Sequence, residues 1–205
     1  MQQPPAYQHD PDSWDWSTST YQQHLENGLR NSWGVLYHLM HIGESILEVG
    51  CGSGKTSVLA KMLSPRKRVV AVDLSQGAVE HTRGLAAYAG VDVEVWRCDA
   101  LTLPFRDQEF GIAFSMGVLE HYPDEWIIKA LKEQMRVAEA VLVNVPLPSY
   151  GQSFRSHGDE RWLPKAYWLG LFSAAGLIVD VSLYGDVTEE TMIQVIIESK
   201  HVGRQ

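Results

Sequence analysis

Short apolar runs alternate along this chain with longer amphipathic stretches. Ile46-Leu47-Glu48-Val49, Val69-Val70-Ala71-Val72 and Ala140-Val141-Leu142-Val143-Asn144-Val145 are nearly continuous and rich in β-branched residues. That pattern predicts strands covered on both faces. Val91 to Trp96 alternates apolar and polar positions, and Phe110 to Phe114 is again apolar, predicting two more strands. Helical stretches lie between. One runs from Lys55 to Leu63 and stops at Ser64-Pro65; another runs from an N-capping Ser75 to Tyr88 and is closed by Gly90. A third starts at Pro123-Asp124-Glu125, with proline and acids at the positive end of its dipole, and reaches about Met135. A fourth is opened by Pro164 and ended by Gly176, with Tyr167, Trp168, Leu171 and Phe172 directed at the sheet. Before the first strand, Tyr21, Leu25, Leu29, Trp33, Leu36, Tyr37 and Met40 recur at helical spacing and predict one core-packed helix ended by Gly43. Leu177 to Tyr184 and Met192 to Glu198 predict two final strands. The alternation describes an α/β fold with a doubly wound, mostly parallel sheet.

The first strand runs into Glu48-Val49-Gly50-Cys51-Gly52-Ser53-Gly54-Lys55-Thr56. Its glycines let a ligand approach the main chain, and the helix behind them points unpaired N–H groups at the same place. Three loop types compete for this stretch. A phosphate-binding P-loop needs G-x-x-x-x-G-K-[ST]; Gly54-Lys55-Thr56 matches its end, but its first glycine would fall at Val49. The dinucleotide pattern G-x-G-x-x-G requires glycine where Lys55 stands. The pattern E/D-x-G-x-G-x-G fits without a gap.

That pattern resembles motif I of the class I S-adenosylmethionine-dependent methyltransferases. The likeness extends over roughly Met40 to Lys200: a second strand ends in Asp73, a third in Asp99, and the fourth leads through Ser115 and Met116 to Leu119-Glu120-His121. It implies a seven-stranded sheet whose last strand is antiparallel, with S-adenosylmethionine as cofactor and S-adenosylhomocysteine as product. Gly50, Cys51 and Gly52 would pass under the methionine part, and Glu48 would order the loop or reach the ammonium group. Asp73 would take the ribose hydroxyls while Leu74 packs on the adenine; Asp99 and the Ala100 amide would contact its edge. Leu103-Pro104-Phe105 would flank the base, and Ser115 and Met116 complete the cofactor set. His121, Glu120 and His157 are the candidate general bases, and no metal is expected. Tyr21 is a further candidate contact for the methionine end, whereas Lys55 reads as a solvated helix residue.

A length of 205 residues suits one domain, and a formal net charge of −8 argues against a broad phosphate-binding surface. The [DNS]-P-P-[FYW] signature of base-amino methyltransferases is missing after the fourth strand, where Ser115-Met116-Gly117-Val118 stands. A small-molecule acceptor is therefore expected rather than nucleic acid, with no membrane partner and a cytoplasmic location. Cys51 and Cys98, two strand spacings or about 10 Å apart, are expected to be free thiols. Residues 1–18 are expected to form a flexible N-terminal segment in which Trp14 and Trp16 cap the core or close over the acceptor. Residues 19–205 then make one methyltransferase domain with an acceptor-shaping insertion around 146–163. A P-loop-like NTPase and a catalytically silent S-adenosylmethionine binder are the alternatives.

Overall fold

The computed structural model describes residues 15, 19–150, 160–176, 180–186 and 189–198. Trp14, Trp16, Phe154, Arg155 and His157 lie outside them. Five parallel strands form the centre: β1 (Ser45–Val49), β2 (Arg68–Asp73), β3 (Glu94–Arg97), β4 (Phe110–Met116) and β5 (Ala138–Pro146). The order is β3-β2-β1-β4-β5, continued by β7 (Glu189–Glu198) and β6 (Asp180–Asp186). β7 pairs antiparallel with β5 and with β6. The chain runs outward from β1 to β3 and then returns to β4 on the other side of β1. The carboxyl ends of β1 and β4 therefore diverge around a crevice, where an open α/β sheet accepts ligands.

Both faces are covered, which explains the continuous apolar runs. Leu47, Val49, Val70, Val72, Val141 and Val143 pack on one side with α5 (Asp124–Val137) and α6 (Lys165–Ala174). Ile46, Val69, Ile112, Phe114 and Leu142 pack on the other, under α2 (Trp33–His41) and α3 (Lys55–Leu63). Trp168 is fully buried and its indole N–H donates to the Pro146 carbonyl at 3.1 Å. Tyr167 does not face the sheet as expected; it is exposed, and its hydroxyl donates to Asp124 Oδ2 at 2.6 Å.

The predicted N-terminal helix is two helices, α1 (Tyr21–Asn31) and α2, broken at Ser32. Ser32 is fully buried with φ −116° and ψ 8°, and its hydroxyl lies 3.4 Å from that of Thr56. The break turns Leu29, Trp33 and Tyr37 outward, so the apolar spacing spans two faces rather than one core stripe. Gly28 permits the crossing of α1 over α3: a Cβ there would lie 2.6 Å from Leu59 Cδ1. Lys67 closes the C-terminus of α2 by donating to the carbonyls of Leu39, Ile42 and Gly43. The Ser32–Thr56 and Gly28–Leu59 contacts hold the α1–α2 junction against α3, beside the crevice.

Candidate functional site

A cavity of about 760 Å³ opens at the carboxyl ends of β2, β1, β4 and β5. One wall belongs to β1 and β2. Gly50 has φ +75°, a conformation few side chains tolerate, and a Cβ there would overlap Val118. The amides of Gly50 and Cys51 both donate to Val72 O at 2.9 Å, and the Gly52 amide donates to Asp73 Oδ2 at 2.8 Å. Asp73 Oδ1 takes the Ser75 amide at 2.9 Å. Asp73 therefore braces the glycine loop and the start of α4 (Gln76–Ala89), and it lines the cavity.

Glu48 lies beneath the loop, buried, with Oε2 accepting from the Ser57 amide at 3.1 Å and the Ser57 hydroxyl at 2.5 Å. Burial raises its pKa to about 8; the two Ser57 hydrogen bonds and nearby Lys55 oppose that rise, and Asp73 adds to it. These bonds tie Glu48 to the helix behind the loop, and Glu48 also lines the cavity. Lys55 is not a solvated residue: it lines the cavity, and burial lowers its pKa. Cys51 also lines the cavity, 3.4 Å from the Thr82 hydroxyl, with its thiol pushed well above the usual value by burial and then by Asp73 and Glu48. Burial likewise raises Cys98 to about 11, and both thiols are free.

Leu74, Cys98 and Ala100 form the apolar end of this wall. Asp99 and the Leu103-Pro104-Phe105 stretch, expected at that end, are not part of the cavity lining. Asp99 is exposed at the rim and turns its Oδ1 to the Leu101 amide at 2.8 Å instead of lining the cavity. Leu103 and Phe105 enter the core, Phe105 packing edge-on against Phe110, rather than forming a ledge under a base.

The other wall comes from β4, β5 and the loop between β4 and α5. Met116, Gly117, Val118 and His121 line it, joined by Asn144 and Tyr150. Ser115 does not. Strand alternation turns it to the α5 face, where Gln134 Nε2 lies 3.5 Å from its hydroxyl. Glu120 is buried under the loop instead of lining the cavity, and its carbonyl accepts from the Arg161 amide at 2.9 Å. Arg161 clamps this wall further, donating to Tyr122 O and Asp124 Oδ1 at 2.7 Å each. Tyr21 is not at the cavity; it packs on His81 and Tyr88.

Sequence reasoning missed Arg30, Asn31 and Ser32, brought to the cavity by the helix break, and Asn144. A lone amide ending an apolar strand was the visible signal for Asn144.

These groups suit a nucleoside with a cationic tail. The Asp73 carboxylate matches vicinal hydroxyls, Leu74 and Ala100 offer an apolar surface to a base, and Glu48 lines the cavity under the loop. The amides of Gly50, Cys51 and Gly52 are engaged by Val72 and Asp73, so these three do not wrap an anion. Among the described residues no cluster of side chains is arranged to hold a metal ion, and no helix is long and apolar enough to cross a membrane.

Comparison with known proteins agrees with that chemistry. Residues 46–140 match the family model described as a methyltransferase domain. The 27-O-demethylrifamycin SV methyltransferase of Amycolatopsis mediterranei (strain S699) is 28% identical over 118 residues, 54% of this chain and 43% of that protein. The probable tRNA methyltransferase 9B of Mus musculus is 34% identical over 96 residues, 46% of this chain and 19% of that protein. This chain thus spans less than half the length of these curated relatives. The magnesium protoporphyrin IX methyltransferase of Synechocystis PCC 6803, solved with bound S-adenosylhomocysteine, superposes with a TM-score of 0.67 at 15% identity, covering 91% of this chain and 90% of that one. Residues 46–140 thus form a methyltransferase domain, in a fold shared with methyltransferases solved with S-adenosylhomocysteine bound.

Proposed function

We propose that this chain binds S-adenosylmethionine along the β1–β2 wall and directs methyl transfer to a small molecule held against the β4–β5 wall. The observation that carries the reading is the Asp73 brace. One carboxylate fixes the glycine loop and the next helix while facing the cavity, and the loop amides are closed to phosphate. Bound there, the cofactor supplies a methyl group on a sulfonium, whose departure leaves a neutral thioether.

The protein's work is then alignment and exclusion of water. Asp73 and Leu74 fix the nucleoside end, and the Gly50–Gly52 loop fixes the tail. Met116 and Val118 shape the place where the two walls meet. Holding two reactants in line can supply roughly 7–11 kcal/mol of a barrier. His121, which lines the cavity beside Tyr122, is placed to take a proton from an acceptor hydroxyl or amine. Glu120, buried behind it, supports the loop instead of meeting the acceptor. The relative that acts on a rifamycin favours a small acceptor, as does the net charge of −8.

Thermal unfolding with S-adenosylmethionine, S-adenosylhomocysteine, Mg-ATP and NAD tests cofactor choice. Saturation at 100 times Kd stabilises by about 2.7 kcal/mol, a rise of roughly 5–11 °C for a chain of this size. A rise with the first two ligands alone is expected; a rise with Mg-ATP alone overturns the reading. Radiolabelled S-adenosylmethionine offered with either a metabolite extract or total tRNA then separates the acceptors. Label is expected in the small-molecule fraction. Label only in tRNA transfers the assignment to RNA, and binding without label in either identifies a silent binder.

A further inference from the structure

Asn144 stands at the carboxyl end of β5, in register with Met116 at the end of β4, and lines the cavity. It is 1% exposed, and among the described residues neither Oδ1 nor Nδ2 has a hydrogen-bond partner. A carboxamide can donate two hydrogen bonds and accept two, and buried polar groups are almost always satisfied. The preceding residues of the same face, Ala140 and Leu142, belong to the apolar core with Ile112 and Phe114. A leucine would continue that row without leaving a polar group unmet. The amide therefore costs the free protein stability, and it faces the ligand space.

Position along the sheet identifies which ligand it faces. Asp73 ends β2, and Asn144 is three strands away across β1 and β4. Strand spacing makes that roughly 14 Å. The ribose hydroxyls of S-adenosylmethionine are only a few bonds from its transferable methyl, so a cofactor anchored at Asp73 presents that methyl short of β5. Asn144 thus lies on the acceptor's side of the reacting centre, on the same cavity as His121 and Tyr150.

Resting on the methyl-transfer reading above, we propose that Asn144 anchors the acceptor by a neutral group that both donates and accepts hydrogen bonds, a hydroxyl or a carboxamide. The surroundings disfavour a carboxylate. Glu120 is buried under the same loop, and the Tyr150 hydroxyl is pushed up by burial and then by Glu120 and Glu160. An anionic group brought beside Tyr150 would face the same Glu120 and Glu160 that oppose ionisation of its hydroxyl, while a wholly apolar group would leave the amide unmet.

The test uses protein saturated with S-adenosylhomocysteine, whose binding is first measured by calorimetry. Failure of that binding defeats the methyltransferase reading itself and is recognised before Asn144 is touched. Benzamide, benzyl alcohol, benzoate and ethylbenzene are then titrated and followed by protein-detected NMR. The wild type is expected to bind benzamide and benzyl alcohol at least about fivefold more tightly than the other two, the worth of one net hydrogen bond. Asn144→Leu is expected to lose that preference, to keep S-adenosylhomocysteine affinity within about twofold, and to melt no lower than wild type when ligand-free. Asn144→Asp, which keeps the shape and only accepts when ionised, provides a second variant and is expected to bind benzoate still more weakly relative to benzamide and benzyl alcohol. Equal binding of all four probes, no binding of any, or an unchanged preference in Asn144→Leu overturns the proposal. So does a fall in cofactor affinity matching the fall in probe affinity, which would make Asn144 a cofactor ligand.

Discussion

The two walls of the cavity are built differently. On the β1–β2 wall the polar groups are paired with one another: Asp73 with the Gly52 and Ser75 amides, Glu48 with Ser57, Gly50 and Cys51 with Val72 O. This wall is set before any ligand arrives, as a site for one fixed cofactor should be. The β4–β5 wall ends a core row on an unmet amide, and its loop is held by Arg161 reaching in from beyond residue 160. Such a wall is completed by what binds it. The comparison teaches that paired polar groups mark what the fold always holds, and unmet ones mark what varies.

The largest expected effect strikes the paired wall. Gly50→Val must adopt φ +75° with a branched side chain and overlap Val118, the residue joining the two walls. Strain and overpacking together should cost about 2–5 kcal/mol and abolish S-adenosylhomocysteine binding in calorimetry. Retained binding would mean the loop is looser than its hydrogen bonds imply.

Glu48→Gln comes next and acts through pH. The folded pKa of about 8 lies above the ordinary value of 4.5, so the folded state holds the proton more tightly. The Glu48 contribution to stability should then be greatest below pH 4.5 and fall as pH rises toward about 8, by at most about 1.4 kcal/mol per pH unit. Glutamine mimics the neutral acid and still accepts from Ser57. The variant should match wild type at pH 4.5, exceed it increasingly up to pH 8, and flatten the profile in chemical denaturation. Parallel profiles would show that another group sets the slope.

Asp73→Asn sharpens the contrast at smaller cost. The isosteric amide keeps one oxygen for the brace but loses charge and acceptor capacity toward ribose hydroxyls. A loss of about 10–100-fold in S-adenosylhomocysteine affinity is expected, equivalent to about 1.4–2.7 kcal/mol. Unchanged affinity would remove Asp73 from the cofactor site and leave it only the loop.

The same contrast explains what was legible in the sequence. Strand identity, the parallel core and the places of Gly50 and Asp73 on the cavity follow from local patterns, because the backbone of one strand–loop–helix unit sets them. Ser115 was misplaced because a neighbour on a strand faces the opposite side, and an apolar run buried on both faces hides which side is which. The helix break at Ser32 was invisible because its cause, the buried contact with Thr56, is long-range. Asn144 was overlooked because an asparagine in a strand acquires meaning only once its partners are known.

The smallest effect should come from Arg161, and it asks whether the walls are separable. Arg161 holds the acceptor wall through Tyr122 O and Asp124, and the ion pair is 30% and 42% exposed on its two sides. An ion pair that exposed is worth at most about 1 kcal/mol, and the carbonyl hydrogen bond adds about 1 more. Arg161→Ala should therefore lower stability by about 1–2 kcal/mol, or roughly 2–8 °C in Tm. Among the described residues none of its hydrogen bonds reaches Asp73, Gly52 or Glu48, so S-adenosylhomocysteine affinity should stay within about twofold while probe binding near Asn144 weakens. If cofactor affinity instead falls as far as in Asp73→Asn, Val118, packed against Gly50, transmits the loss, and the two walls form one cooperative unit.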